Sequence, residues 1–201
     1  MAAISGKQVV RLKGGDPMIF AHGGEEIEYL RRRLVVVNVV PGVTAALAAA
    51  AFTGIPLTHR GLSSSVTFMT GHSKKNLEIP TSGTMVFYMG GSNLTTIATE
   101  AMDKGWPSDT PALLVYNVSN SDQEEHYSTL QQIIDDQGFY KTPVIIIIGE
   151  VVRLKTQSAE SIEKSIQLNK GAELPDLCKG SKRLHIPLIE DAELTLTSNS
   201  I

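Results

Sequence analysis

Along this chain, short β-branched runs alternate with stretches whose apolar residues recur at helical spacing. Residues 8–12 are predicted as a strand ending in the loop Lys13-Gly14-Gly15-Asp16-Pro17. Residues 25–33 are predicted as a short helix, with Glu25 and Glu26 at its start and Arg31, Arg32 and Arg33 at its end, which suits the helix dipole. Residues 34–40 read as a buried strand broken by Pro41-Gly42, and residues 43–52 as an Ala-rich helix ended by Gly54-Ile55-Pro56. The polar stretch 57–65 is expected to be a domain boundary. Further strands are predicted at 66–70, 85–89, 112–117 and 144–148. A helix is predicted over 92–104, capped by Ser92 and closed by Gly105.

Apolar strands alternating with helices predict an α/β class, with a sheet covered on both faces. From Lys155 onward apolar periodicity fades, so a loosely ordered tail is expected there, with one helix over 158–168. Composition narrows the picture. Of 201 residues, 42% are apolar and 19% charged, with a net charge of −3, which argues against a basic nucleic-acid surface. Acidic ligands stay open, because basic clusters occur in mildly acidic proteins. The single cysteine, Cys178, forms no internal disulfide, and a reducing, cytoplasmic compartment is expected. No apolar run reaches the length of a membrane helix, about 18 residues, and the opening residues do not read as a signal peptide.

Chemistry is suggested at strand and helix junctions. Gly14-Gly15-Asp16-Pro17 either lets a ligand approach the backbone or is a plain turn. Gly23-Gly24 precedes a helix and either exposes amides to an anion or simply turns the chain. Pro41-Gly42-Val43-Thr44-Ala45-Ala46 opens a helix of small residues, suited to close packing or to a flat ligand. Met89, at a strand exit, either lies against an aromatic ligand or closes a core strand. His59 and Arg60, like His72, either meet an acidic substrate or lie in solvated loops. The five histidines show no paired ligand spacing, so no metal site is expected. Neither a dinucleotide-binding glycine pattern nor a phosphate-loop lysine is present.

The order of these motifs closely resembles the tetrapyrrole methylases. Arg11-Leu12-Lys13-Gly14-Gly15-Asp16-Pro17 comes first, then Gly23-Gly24-Glu25-Glu26 and Pro41-Gly42-Val43-Thr44-Ala45. Gly54-Ile55-Pro56-Leu57-Thr58-His59-Arg60, Thr70-Gly71-His72, Phe87-Tyr88-Met89-Gly90 and Gly149-Glu150-Val151-Val152 follow in family order. The Thr-His-Arg and Thr-Gly-His elements point to the branch that C-methylates uroporphyrinogen III.

That resemblance implies two α/β domains with S-adenosylmethionine in the cleft between them, usually in a homodimer. The product, precorrin-2, leads to siroheme or cobalamin. Residues 1–57 would be the remainder of the first domain, 58–153 the second domain, and 154–201 a partly disordered tail. Carried over by position, Gly14, Gly15, Asp16, Ile19, Thr44, Ala45 and Met89 would contact the cofactor. So would Val118, which stands where many relatives have glycine. Arg11, His59 and Arg60 are candidate partners for substrate carboxylates. The family's opening strand, its Gly-x-Gly-Pro-Gly-Asp loop, and an Asp and a Lys given acid–base roles have no counterpart in this sequence. The first domain is therefore expected to be incomplete, with a sheet edge and apolar faces uncovered, and no catalytic acid–base residue is assigned. A non-catalytic partner subunit, or a methylase acting on a later corrin intermediate, are the alternative readings.

Overall fold

A computed structural model describes residues 2–72, 77–136 and 140–155. They fall in the first of two compact units, Met1–Ser161; the second, Ile162–Ile201, lies outside the described residues, as do the expected helix over 158–168 and Cys178. The elements are α1 (Gly23–Arg31), α2 (Ala45–Thr53), β1 (Val66–Thr70), β2 (Thr84–Tyr88), α3 (Leu94–Asp103), β3 (Pro111–Tyr116), β4 (Glu124–Thr129), α4 (Leu130–Asp136) and β5 (Val144–Ile148). Single 3-10 turns occupy Gly91–Asn93 and Glu150–Val152. None of the described helices is long and apolar enough to cross a membrane.

The five strands form one mixed sheet in the order β1-β2-β5-β3-β4. β1 and β2 run parallel, whereas β5 is antiparallel to both β2 and β3, and β3 is antiparallel to β4. The most apolar run in the sequence, Val144-Ile145-Ile146-Ile147-Ile148, takes the central position, and it is buried at every residue, as is its neighbour β2.

Side chains alternate across the strands. Met85, Phe87, Leu114, Ile146 and Ile148 pack against Leu94 and Ile97 of α3 and Leu130 and Ile133 of α4. Val86, Tyr88, Leu113, Val115, Ile145 and Ile147 pack on the other side against Ala46 and Ala49 of α2, with Ile55 and Val151. Each such fully buried aliphatic side chain contributes about 1.5–3 kcal/mol. The sheet is covered on both faces, as the alternation of apolar blocks predicts.

Two predicted strands do not form. Residues 8–12 and 34–40 are irregular, and no backbone ladder reaches them among the described residues. Leu34 is 94% exposed and Val36 89%. Both segments have strand-forming residues, but a strand is stable only when a neighbour satisfies its amides and carbonyls. The helix expected over 25–33 begins earlier, at Gly23, and ends at Arg31. The Ala-rich helix begins at Ala45 and closes at Gly54, which takes the left-handed φ of 72° that glycine tolerates. Ser92 does not cap α3: it lies in the preceding 3-10 turn, and Asn93 holds the N-cap position without a capping bond. The buried Asn93 amide donates instead to the Gly71 carbonyl at 2.7 Å.

Candidate functional site

The Gly14-Gly15-Asp16 loop follows an irregular segment rather than a strand, so a strand end does not hold it. Asp16 does. Its Oδ1 accepts the Met18 amide at 2.8 Å, and its Oδ2 accepts the Gly42 amide at 3.0 Å. These amides, Gly42's first, hold the Asp16 carboxyl below its ordinary range. Gly15 takes a left-handed φ of 72°, and a Cβ there would lie 3.6 Å from the Val43 carbonyl and 3.7 Å from the Thr44 Cα. Gly42 is more tightly constrained: a Cβ would stand 2.2 Å from the Gly15 carbonyl oxygen. The Gly14 to Asp16 loop is thus bedded on the Gly42 to Ala45 turn through backbone contact. A Cβ at Gly14 would meet nothing within 4 Å.

Past the loop, Ile19 packs on the α2 side of the sheet, as do Ala45 and Val118. Val118 sits between Asn117 and Ser119, both at positive φ, in the turn leaving β3. Thr44 is buried, and its Oγ1 is 2.6 Å from the Tyr88 hydroxyl. Met89 follows Tyr88 directly, turns out of β2 at a φ of 55° and is half exposed. Candidate residues spread from position 14 to position 118 therefore gather around the α2 face and the end of β2.

Arg11, His59 and Arg60 are not joined to this group by any bond among the described residues. The Arg11 guanidinium pairs with Glu26 at 3.4 Å, and the nearly buried Lys13 ammonium pairs with the same carboxylate at 2.8 Å. Lys13 first, then Arg11, draws Glu26 below its ordinary range. His59 exchanges backbone bonds with Ser63 in an exposed turn that also carries Arg60. A cavity of about 610 Å³ lies elsewhere, over α1, lined by Met18, Ile27, Arg31 and Val39 among others. Of the motifs singled out in the sequence it includes only Gly24, and none of the residues carried over as cofactor or substrate contacts.

Sequence reasoning marked Gly42 within the Pro41 to Ala46 motif but assigned Tyr88 no role in this site. The signal for Tyr88 was a phenol inside an apolar strand, which must find a polar partner when buried.

The described residues offer an open backbone surface at Gly14, a carboxylate kept ionised, a buried threonine hydroxyl and an exposed thioether. That set can orient a polar, partly aromatic ligand. The chain is 44% identical over 164 residues to the S-adenosyl-L-methionine-dependent uroporphyrinogen III methyltransferase, chloroplastic, of Arabidopsis thaliana, covering 76% of this chain and 44% of that protein. It is 40% identical over 172 residues to siroheme synthase of Actinobacillus pleuropneumoniae, covering 82% of this chain and 35% of that protein. It thus spans less than half the length of these relatives. The crystal structure of uroporphyrin-III C-methyl transferase from Thermus thermophilus, complexed with S-adenosylhomocysteine, superposes with a TM-score of 0.65 at 38% identity, over 73% of this chain and 67% of that one. A cobalt precorrin-4 methyltransferase superposes with a TM-score of 0.65 at 26% identity, over 74% and 66%. The family model of the Tetrapyrrole (Corrin/Porphyrin) Methylases matches residues 1–134, and this chain belongs to that family.

Proposed function

We propose that this chain carries much of the cofactor site of an S-adenosylmethionine-dependent methyltransferase that converts uroporphyrinogen III to precorrin-2. The observation that carries the reading is the gathering of Gly14, Gly15, Asp16, Ile19, Thr44, Ala45, Met89 and Val118 around one end of the sheet. These residues suit the cofactor. The open Gly14 backbone leaves room for a close ligand, the Asp16 carboxylate would favour a cationic one, and the exposed Met89 thioether would lie against its aromatic base. Bound there, S-adenosylmethionine would supply a methyl group activated by its sulfonium. The chain's residues would hold that methyl at the distance and angle a nucleophilic ring carbon needs, which is a task of orientation. Arg11, His59 and Arg60 stand as candidate partners for the substrate's carboxylates.

The further assignments rest on the same family reading. We infer that residues 1–57 are the remainder of a first α/β domain and 58–153 a second α/β domain, with a homodimer as the working assembly and a cytoplasmic setting supported by the single cysteine. A methylase acting on a later corrin intermediate is the second reading, favoured by the likeness to the cobalt precorrin-4 enzyme. Isothermal titration of the chain with S-adenosylhomocysteine tests the cofactor site. Saturable binding is expected, and a folded sample that takes up none would overturn the reading. Incubation with labelled S-adenosylmethionine and uroporphyrinogen III, with mass analysis of the products, then tests the substrate. A gain of two methyl groups is expected.

A further inference from the structure

Thr44 holds the N-cap position of α2 yet makes no capping bond. A threonine there ordinarily accepts an amide of the first helical turn through its hydroxyl oxygen. Here the amide of Ala46, the second residue of the helix, donates to the Tyr88 hydroxyl oxygen at 3.3 Å. A residue 42 positions away therefore caps the helix in place of its own N-cap. Tyr88 is 8% exposed and Thr44 5%. The Tyr88 ring is fixed by Phe20, with centroids 4.9 Å apart, and by Phe68 at 6.1 Å.

Counting protons gives a direction to the bond between the two hydroxyls. The Tyr88 oxygen already accepts from Ala46, and its own proton needs a buried acceptor. The acceptor within reach is Thr44 Oγ1 at 2.6 Å. If Tyr88 donates there, the Thr44 hydroxyl accepts from the phenol and its remaining proton is free to donate. Thr44 adjoins Ala45, lies against the Gly15 loop, and is bonded to the residue that precedes Met89.

We propose that Tyr88 is a positioning residue that takes over the capping of α2, so that the Thr44 hydroxyl is presented as a hydrogen-bond donor to an acceptor atom of the bound cofactor. The proposal rests on the cofactor reading above and adds a residue and a bond direction to it. Tyr88→Phe keeps the ring and its packing but removes the hydroxyl. Thr44→Val removes the donor, and Thr44→Ser retains it.

The test measures S-adenosylhomocysteine affinity by titration for the wild-type chain, Tyr88→Phe, Thr44→Val, Thr44→Ser and the double variant Tyr88→Phe/Thr44→Val. Amide exchange at Ala46 is read alongside. Tyr88→Phe and Thr44→Val are each expected to weaken binding roughly three- to tenfold, as the loss of one hydrogen bond implies. Thr44→Ser should bind like the wild type. The double variant should bind no worse than Thr44→Val, because without the donor there is nothing left to orient. A purely structural tyrosine would weaken binding equally in both backgrounds, and that result would overturn the proposal. Wild-type affinity in Tyr88→Phe would also overturn it while leaving the cofactor reading intact. A wild-type chain that binds nothing, while Ala46 exchange still rises in Tyr88→Phe, would overturn the cofactor reading and leave only the cap.

Discussion

Gly42→Ala is the most direct test of how the candidate loop is held. The added Cβ would stand 2.2 Å from the Gly15 carbonyl oxygen, 3.1 Å from the Gly15 carbonyl carbon and 3.5 Å from the Asp16 Cα. All are backbone atoms or sit on the backbone, so no side chain can swing aside. Relief to ordinary contact requires the two segments to part by about 1.2 Å. Gly42 is not at positive φ, so the strain is steric alone. Forcing extra volume between packed segments costs about 1–3 kcal/mol, and in a chain of this size each kcal/mol lowers the Tm by about 2–4 °C. The same retreat stretches the Gly42 amide bond to Asp16 Oδ2 and shifts Gly15 away from Thr44. Two ligand hydrogen bonds lost with it would weaken S-adenosylhomocysteine roughly five- to hundredfold. Thermal unfolding by circular dichroism and isothermal titration give both readings. Gly14→Ala is the matched control. Its Cβ meets no protein atom, so the Tm should hold while a ligand pressed on that backbone binds less well. A Gly42→Ala protein with wild-type Tm and wild-type affinity would refute the close approach of the two segments and the site built on it.

Other consequences can be checked separately. Because the Gly42 and Met18 amides lower the Asp16 pKa, this carboxylate's contribution is complete above its ordinary value of 3.8 and is lost as pH falls through the lowered folded pKa; both amide NMR signals should titrate together with a midpoint below 3.8, and a midpoint at or above it would contradict the bonding. Ile147→Ala, at a fully buried position in the central strand, should cost about 2–5 kcal/mol in denaturant unfolding, whereas Leu34→Ala, at a site 94% exposed, should stay within about 0.5 kcal/mol. Val118→Gly removes a side chain half-packed on the α2 side of the sheet; a stability lowered by about 1–2 kcal/mol in denaturant unfolding, with S-adenosylhomocysteine affinity unchanged within about twofold, is expected if the contact there is made by backbone, and a large affinity loss would assign it to the valine side chain.

The central strands were legible because their burial is written into composition. Val144-Ile145-Ile146-Ile147-Ile148 is apolar at every position, and β1 was predicted with the bounds it has. β4 was not seen. Its sequence, Glu124-Glu125-His126-Tyr127-Ser128-Thr129, lies at the sheet edge with half of its positions exposed, so no apolar alternation marks it. α4 follows it without a break and has only seven residues, too few to establish a helical period. The opposite error arose at residues 8–12 and 34–40, where local preference favours strand but pairing depends on a neighbour that local sequence does not encode. The glycine loop, Thr44 and Met89 were legible as motifs. That the Gly42 amide binds Asp16 and that a tyrosine caps a distant helix were not, because both depend on contacts between segments 26 or more residues apart.

The strand order also governs when this sheet can exist. Among the described strands β5 is the last to leave the ribosome, yet it lies between β2 and β3. Until Ile148 emerges, the nascent chain holds two separate strand pairs, β1 with β2 and β3 with β4, and neither two-stranded piece is stable alone. Synthesis must therefore reach nearly the end of the described segment before the core can close, and the apolar faces of β2 and β3 stay open throughout that interval. For this chain, translation speed and chaperone supply during that interval should therefore influence the yield of folded protein.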